Sequence, residues 1–337
     1  MLTVFIVNDA SDGPVDYADQ NLTLREAVEL ANIAPDIDEI RFSDSVFGTV
    51  PHTIECTQGP LIIESPLTVT APGSSLLTVS NTTINQRAFQ INDTAIVAIT
   101  GITISGGGIA NLGNLLLENS VIENCTASGG GGVYNIGTLQ INDSQIINNT
   151  AQKGAGLYNK TGTVSLENTL LQGNTATAND GGGIYSSGGK LRIIGSRIID
   201  NTAASSGGGL TATGGLVSVI NTLLTGNSAA VLGGAIVSAS SEMIVINSTI
   251  MNNTVTGNAT PSGAGGIYAR LRNLLVRNSI LSQNVAPSYP NLDGSPTVGS
   301  TNNLIDSDPK LIDPTGGDFH PRPASPAINA GNNAYLT

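Results

Sequence analysis

The sequence predicts an all-β chain wound as a single parallel β-helix, a solenoid, with an amphipathic helix closing its N-terminal end. Three observations predict it. Between Gly106 and Ala286 one unit is written seven times: Gly-Gly, an apolar residue, an alternating apolar run, Asn-Ser/Thr, then Asn-Thr-Ala. The Ser/Thr positions Ser120, Ser144, Thr169, Ser196, Thr222, Ser248 and Ser279 lie 24, 25, 27, 26, 26 and 31 residues apart, the period of a stacked coil. Composition agrees, with 41 glycines in 337 residues, no tryptophan and only 11% charged residues.

Taken in order, residues 1–52 read as an N-terminal cap, 53–286 as β-helix coils and 287–337 as a C-terminal coil or cap segment. Residues 2–7 are strand-like, and 8–20 form a polar, acidic loop. A helix follows over about 23–32. Thr23 and Glu26 make a capping box, and Leu24, Ala27, Val28 and Ala31 form one apolar stripe, with Asn32 and Pro35 as the stop. Such a stripe would cover the exposed end of the first coil, whose strand edges and core would otherwise face a neighbour.

The repeat itself gives the coils. Five residues before each Ser/Thr stand Leu115, Leu139, Val164, Leu191, Val217, Met243 and Leu274; three before it, Leu117, Ile141, Leu166, Ile193, Val219, Val245 and Val276. Two after it come Ile122, Ile146, Leu171, Ile198, Leu224, Ile250 and Leu281. The first two columns have the alternation of a strand with one buried face. Two further columns are polar: Asn119, Asp143, Asn168, Gly195, Asn221, Asn247 and Asn278 one before the Ser/Thr, and Cys125, Asn149, Asn174, Asn201, Asn227, Asn253 and Asn284 five after it. Asparagine carries both donor and acceptor, so both columns are expected to be structural ladders at bends, with Cys125 a small, inert substitute. Length varies in one place: from the second Asn column to the apolar residue after Gly-Gly the gap is 8, 8, 10, 9, 9 and 14 residues. The variable loops therefore stack along one edge, the longest running from Thr254 to Gly265.

Several motifs carry a resemblance. Leu22-Thr23-Leu24-Arg25-Glu26-Ala27, followed by Ala31-Asn32 and Ile40-Arg41-Phe42, resembles the CSLREA motif that opens many bacterial secreted right-handed parallel β-helix proteins. Residues 53–104 are similar to that family's early coils, with Pro72-Gly73 between strands and a Gly101–Gly106 entry to the repeat. The repeats resemble those of polymorphic outer-membrane proteins. The segment Ser325–Gly331, after Asp308-Pro309 and Gly317-Asp318-Phe319, is similar to the closing segment of such surface proteins. The resemblance implies a right-handed, pectate-lyase-like β-helix and an extracellular or bacterial cell-surface location. Where the family has cysteine this chain has Leu22, so the disulfide common in that cap is not expected.

Charge narrows the partners. The formal net charge is −12, and thirteen acids against three bases fall in residues 1–105, whereas 106–286 hold seven against eight. An acidic end on a near-neutral body argues against nucleic acid or an anionic membrane. No apolar run is long enough to cross a bilayer as a helix, so no membrane insertion is expected in this segment. Met1 leads straight into a strand-like run, which fits a trimmed mature form or a protein needing no leader.

Candidate chemistry is sparse. The weak catalytic candidates are Glu118 and Glu167, outward in one column two coils apart, with backbones roughly 9–10 Å from each other. Asn142 stands between them, and the column continues Ile194, Ile220, Ile246 and Arg277, which builds no acidic groove. The alternative function they leave open is a polysaccharide lyase or glycoside hydrolase acting on an acidic polysaccharide. No cofactor is required by a closed coil; Ca²⁺ is possible at Asp306 and Asp308, which with Asp313 and Asp318 read more simply as turn residues. Tyr134, Tyr158 and Tyr185 occupy one column in successive coils and would make a flat aromatic ladder for a sugar ring, or simply shield the sheet. Ile194, Ile220 and Ile246, with Ile244 and Leu275, form an outward apolar patch to be covered by residues 287–337 or to serve self-association. The favoured expectation is a non-catalytic extracellular or cell-surface protein, adhesin-like or structural, with an extracellular glycan or surface protein as partner.

Overall fold

The computed structural model describes residues 2–13, 15–18, 21–33, 36–83, 85–257, 263–270, 274–314 and 316–335. Over these residues the chain is a right-handed parallel β-solenoid. An 11-stranded sheet starts with Val4–Val7 and Asp38–Phe42 and ends with Leu274–Arg277. A 10-stranded sheet runs from Leu61–Ile63 to Leu292–Asp293, and a 16-stranded sheet closes the third side. Equivalent residues of successive repeats pair without slip, as in Leu115↔Leu139, Leu139↔Val164 and Val164↔Leu191.

The register follows from alternation. All twenty-one side chains of the three apolar columns are at most 2% exposed and lie in one continuous core. Burying each contributes about 1.5–3 kcal/mol, and a one-residue slip would turn the set outward. Gly-Gly recurs because backbones meet there: a Cβ on Gly131 would stand 2.6 Å from the Thr150 carbonyl oxygen and 2.7 Å from that of Ala155.

The two asparagine columns diverge. The second is a buried ladder. Asn174 Nδ2 and the Asn174 N–H both donate to Asn201 Oδ1 (2.8 and 3.0 Å), and Asn201 repeats the pair onto Asn227 Oδ1 (3.0 and 3.1 Å). Cys125 begins the ladder, its N–H donating to Asn149 Oδ1 at 3.0 Å. The first column is not a ladder of this kind. From Asn119 to Asn278 every member has positive φ, between 48° and 56°, and the first five are exposed. Its side-chain links are superficial, Asn168 to Asp143 at 3.2 Å and Asn278 to Asn247 at 3.0 Å. The Ser/Thr column is itself a ladder, with the Ser120 N–H on Ser144 Oγ and the Thr169 N–H on Ser196 Oγ, each at 3.1 Å. A further buried column, Asn111, Asn135 and Asn159, is linked side chain to side chain at 2.7 and 2.9 Å.

Helix α1 spans Leu24–Ile33, one residue later than expected, and Pro35 lies outside the described residues. The capping box forms: the Thr23 N–H donates to Glu26 Oε2 at 2.9 Å, and the Glu26 N–H to Thr23 Oγ1 at 3.2 Å. Leu24, Ala27, Val28 and Ala31 join the core at the end of the solenoid. Arg25 pins the acidic loop, its Nε and Nη2 gripping both Asp12 carboxylate oxygens at 2.7 and 3.1 Å. The Leu22 N–H donates to Asn8 Oδ1 at 2.6 Å, tying the start of the helix to the acidic loop. A short second helix, α2 (Asp44–Phe47), buries Phe47 edge-on against Phe42. Because Val4–Val7 and Asp38–Phe42 are the first rungs of the 11-stranded sheet, the N-terminal segment contributes strands to the solenoid as well as capping it.

At the other end Leu311–Asp313 and Asp318–Pro321 form an antiparallel hairpin, and the chain then returns to the coil corner. Asn278 and Asn332 bond reciprocally at 3.0 and 2.9 Å, and Arg277 lies over the Tyr335 ring at 4.5 Å. No helix among the described residues is long and apolar enough to cross a membrane.

Candidate functional site

The strands Val133–Asn135, Leu157–Asn159 and Ile184–Ser186 pair so that Tyr134, Tyr158 and Tyr185 stand in register. The rings do not form the flat ladder expected from the sequence. Tyr134 and Tyr158 have centroids 5.4 Å apart with planes at 75°, and Tyr158 and Tyr185 are 5.3 Å apart at 68°. Phenol rings this close prefer edge-to-face contact, which presents the negative face of one to the positive rim of the next. Tyr158, between two others, is only 8% exposed, whereas Tyr134 and Tyr185 are half-buried.

The variable loops come down beside this column. Ser128-Gly129 and Gln152-Lys153, from two successive loops, close a cleft of about 470 Å³ over Tyr134 and Tyr158. Gly129 is fitted to it, because a Cβ there would stand 3.2 Å from Tyr158 Cδ1. Lys153 folds across the rings, its Nζ 4.8 Å from the Tyr158 centroid and 5.5 Å from that of Tyr185. The ammonium is thereby held by the ring faces.

Arg87 forms the floor. Its Nη1 donates to the carbonyls of Gly130 (2.6 Å), Gly107 (3.2 Å) and Gly131 (3.4 Å), and its Nη2 to Gly129 (2.8 Å). Burial lowers its pKa from the ordinary arginine value. Behind it, burial pushes the Cys125 thiol up to about 12, with Arg87 opposing. Cys56 is likewise pushed up to about 12 by burial. Both thiols are free and protonated at neutral pH, and so are poor nucleophiles.

The loop edge and the tyrosine column are thus brought together, and Arg87 and Lys153 join them unannounced by the repeat. One signal for Arg87 existed: counting back from the paired Phe89, Ile109 and Val133, it takes the place of Gly107 and Gly131, the first glycine of Gly-Gly. The longest loop, Thr254 to Gly265, includes residues 258–262, which lie outside the described residues.

The other candidates stay apart. Glu118 and Glu167 pair in register through Asn142, whose Nδ2 donates to Glu118 Oε1 at 3.1 Å. Glu118 is half-buried and Glu167 exposed, and neither borders the tyrosine cleft. Asp306 Oδ1 accepts from Asn291 Nδ2 at 2.5 Å, and Asp308 Oδ1 accepts the Lys310 N–H at 2.9 Å. Asp313 and Asp318 likewise accept backbone N–H groups two or three residues on. No group of three or more His, Cys, Asp or Glu that could hold a metal forms among the described residues. Ile194, Ile220 and Ile246, with Ile244 and Leu275, are half-buried rather than openly exposed, packed within their own sheet. The C-terminal tail seats beside this patch, bonding Asn247, Asn278 and Asn302.

No protein-family model, curated protein or solved structure matches the chain.

Proposed function

We propose that this chain is a non-catalytic β-helix protein of a bacterial surface or the extracellular space, adhesin-like or structural, that holds a glycan in the cleft over Tyr134 and Tyr158. The observation that carries this reading is the meeting of the variable loops with the aromatic column at one concave place. Aromatic surface for the apolar face of a sugar stands beside the hydrogen-bonding side chains Ser128 and Gln152, the mixture small-ligand sites use. Its volume of about 470 Å³ falls within the ~300–1,000 Å³ typical of such sites. The edge-to-face rings favour Tyr134 as the platform, with Tyr158 as its support and Tyr185 the outer member of the row.

The resemblance to CSLREA-type secreted proteins and to polymorphic outer-membrane repeats supports the location. Arg25 and Glu26 of that motif do structural work here, pinning the loop and capping the helix. A surface protein as partner, or a second copy meeting Ile194, Ile220 and Ile246, belongs to the same reading. Ca²⁺ at Asp306 and Asp308 would act on the tail's turns and not on the cleft.

The test is glycan-array binding by the wild type and by Tyr134→Ala, with thermal melting as the control for folding. Loss of binding at an unchanged melting temperature supports the reading; undiminished binding overturns it, and Tyr134→Ala, Tyr158→Ala and Tyr185→Ala combined extends the test to the whole row. The alternative, a lyase or hydrolase using Glu118 and Glu167, needs two carboxylates converging on one bond, and here Asn142 occupies the rung between them. Unsaturated or reducing ends released from polygalacturonate or alginate would replace the present reading with that one.

A further inference from the structure

The three arginines of residues 1–105 make a controlled comparison. Arg25 grips Asp12 through Nε and Nη2, at 2.7 and 3.1 Å. Arg41 grips Glu39 through the same two nitrogens, at 2.8 and 2.9 Å. Arg87 has no such partner. Its Nη1 is satisfied by glycine carbonyls and its Nη2 by a single one, while its Nε has no acceptor among the described residues. Carbonyl dipoles hold a guanidinium in place without cancelling its charge.

Lys153, which lines the same cleft, is in the same position. Ring faces hold its ammonium, and neither cation has a carboxylate within ion-pair distance among the described residues. No acid lines the cleft. In a chain of net charge −12, two cations lining one cleft are left without an anion among the described residues, at a place where tyrosines and variable loops converge. Like charges confined together repel, and an anion between them gains from both.

The geometry points to a carboxylate-bearing sugar, a hexuronate unit, as the ligand of this cleft. Its carboxylate would meet the Nε edge of Arg87 in the side-on manner of Arg25 and Arg41, with Lys153 as the second cation and the pyranose against Tyr134. A guanidinium edge matches a planar carboxylate in a way a point charge does not. This inference rests on the glycan-binding reading and sharpens it from sugar to sugar acid. Arg87 and Lys153 are the specificity-determining residues.

Isothermal titration of the full chain with trigalacturonic acid, its methyl ester and inorganic phosphate tests it. The free acid is expected to bind at least ~10-fold more tightly than the ester, and Lys153→Gln to remove most of that difference. Arg87→Lys keeps the charge and loses the side-on edge, so it should also weaken the acid selectively; the Lys153 variant stands on its own if Arg87→Lys fails to fold. Acid and ester binding equally, both lost in Tyr134→Ala, would leave a neutral-sugar site and overturn the inference while the glycan reading stands. Binding of neither ligand would overturn the inference and leave the glycan reading to the array test. Phosphate binding as tightly as the trisaccharide acid would make this a bare anion site and overturn the inference too.

Discussion

Each coil turns two corners with asparagine, and the two corners use it for different physics. At the buried corner, Asn149 through Asn284 are at most 4% exposed, and each side chain satisfies backbone groups that the strand ladder leaves over. Asn201 shows the full set: Oδ1 accepts from the Asn174 N–H and Asn174 Nδ2, while Nδ2 donates to the Leu171 carbonyl at 3.0 Å and to Asn227. At the exposed corner, Asn119 through Asn221, the side chain does little and the backbone does the work, at φ between 48° and 56°; Asn247 and Asn278 share that backbone but also hold the tail. L-residues enter that region at a cost, which asparagine, aspartate and glycine reduce. The substitutes in each column tell the same story. Asp143 and Gly195 tolerate positive φ; Cys125 is a small group fit for burial.

The difference predicts unequal costs. Replacing Asn201 by Ala leaves the buried Asn174 N–H without its acceptor and takes a side-chain donor from the Leu171 carbonyl, which is expected to destabilise by about 1–3 kcal/mol. Urea unfolding of the wild type and variant measures it. A loss below about 1 kcal/mol would mean that buried water or relaxation replaces the ladder bonds, and would erase the contrast between the corners.

Alkaline pH separates the corners a second way, because only the buried one begins with a thiol. Burial raises Cys125 from 9.0 to about 12 in the fold. Below about pH 9 both folded and unfolded states hold the proton, and stability is indifferent to pH from this group. Between there and about 12 the unfolded chain releases it and the folded chain does not, so stability falls as pH rises. Cys125→Asn should complete the ladder and abolish that part of the fall. From about pH 8 to about pH 10 the wild type should lose about 1.4 kcal/mol more than the variant. Paired urea midpoints at the two pH values read it directly; parallel losses would place the Cys125 thiol in contact with solvent.

Much of the fold was legible because its causes repeat. An apolar residue every second position, at a fixed place in each unit, leaves one register that buries all columns. The buried asparagine ladder was legible for the same reason. The exposed corner was misread as a second ladder because residue type alone reports hydrogen-bonding capacity and not φ; only the glycine at 195 carried the distinction. The Asn111, Asn135 and Asn159 ladder went unseen because it lasts three rungs before Ser186 replaces it, and its Oδ1 at Asn111 ends without a partner among the described residues, above Ile91. In the candidate site the tyrosine register could be read, since strand parity fixes where Cβ points. Ring tilt could not, because it depends on neighbouring rings and on Lys153. Arg87 lies one coil before the repeat, where a column count has not yet begun.

The smallest effects belong to the exposed corner and give its sharpest test. Asn221→Ala moves an alanine to φ near 50° and should cost about 1 kcal/mol, whereas Asn221→Gly should be within a few tenths of the wild type. Gly195→Asn is the converse. A Cβ there would come within 2.8 Å of Asn168 Oδ1, the free end of an exposed side chain that can swing away, and no backbone atom stands as close. Asparagine also restricts the unfolded chain more than glycine does. The two terms oppose, so Gly195→Asn should change stability by less than about 0.5 kcal/mol, while Gly195→Val, β-branched and forced to positive φ, should cost about 1–2 kcal/mol or more. Thermal melts of the two variants side by side decide it. Equal losses for asparagine and valine would mean that the corner excludes any side chain by crowding, and that its asparagines are chosen for their fit and not for their backbone.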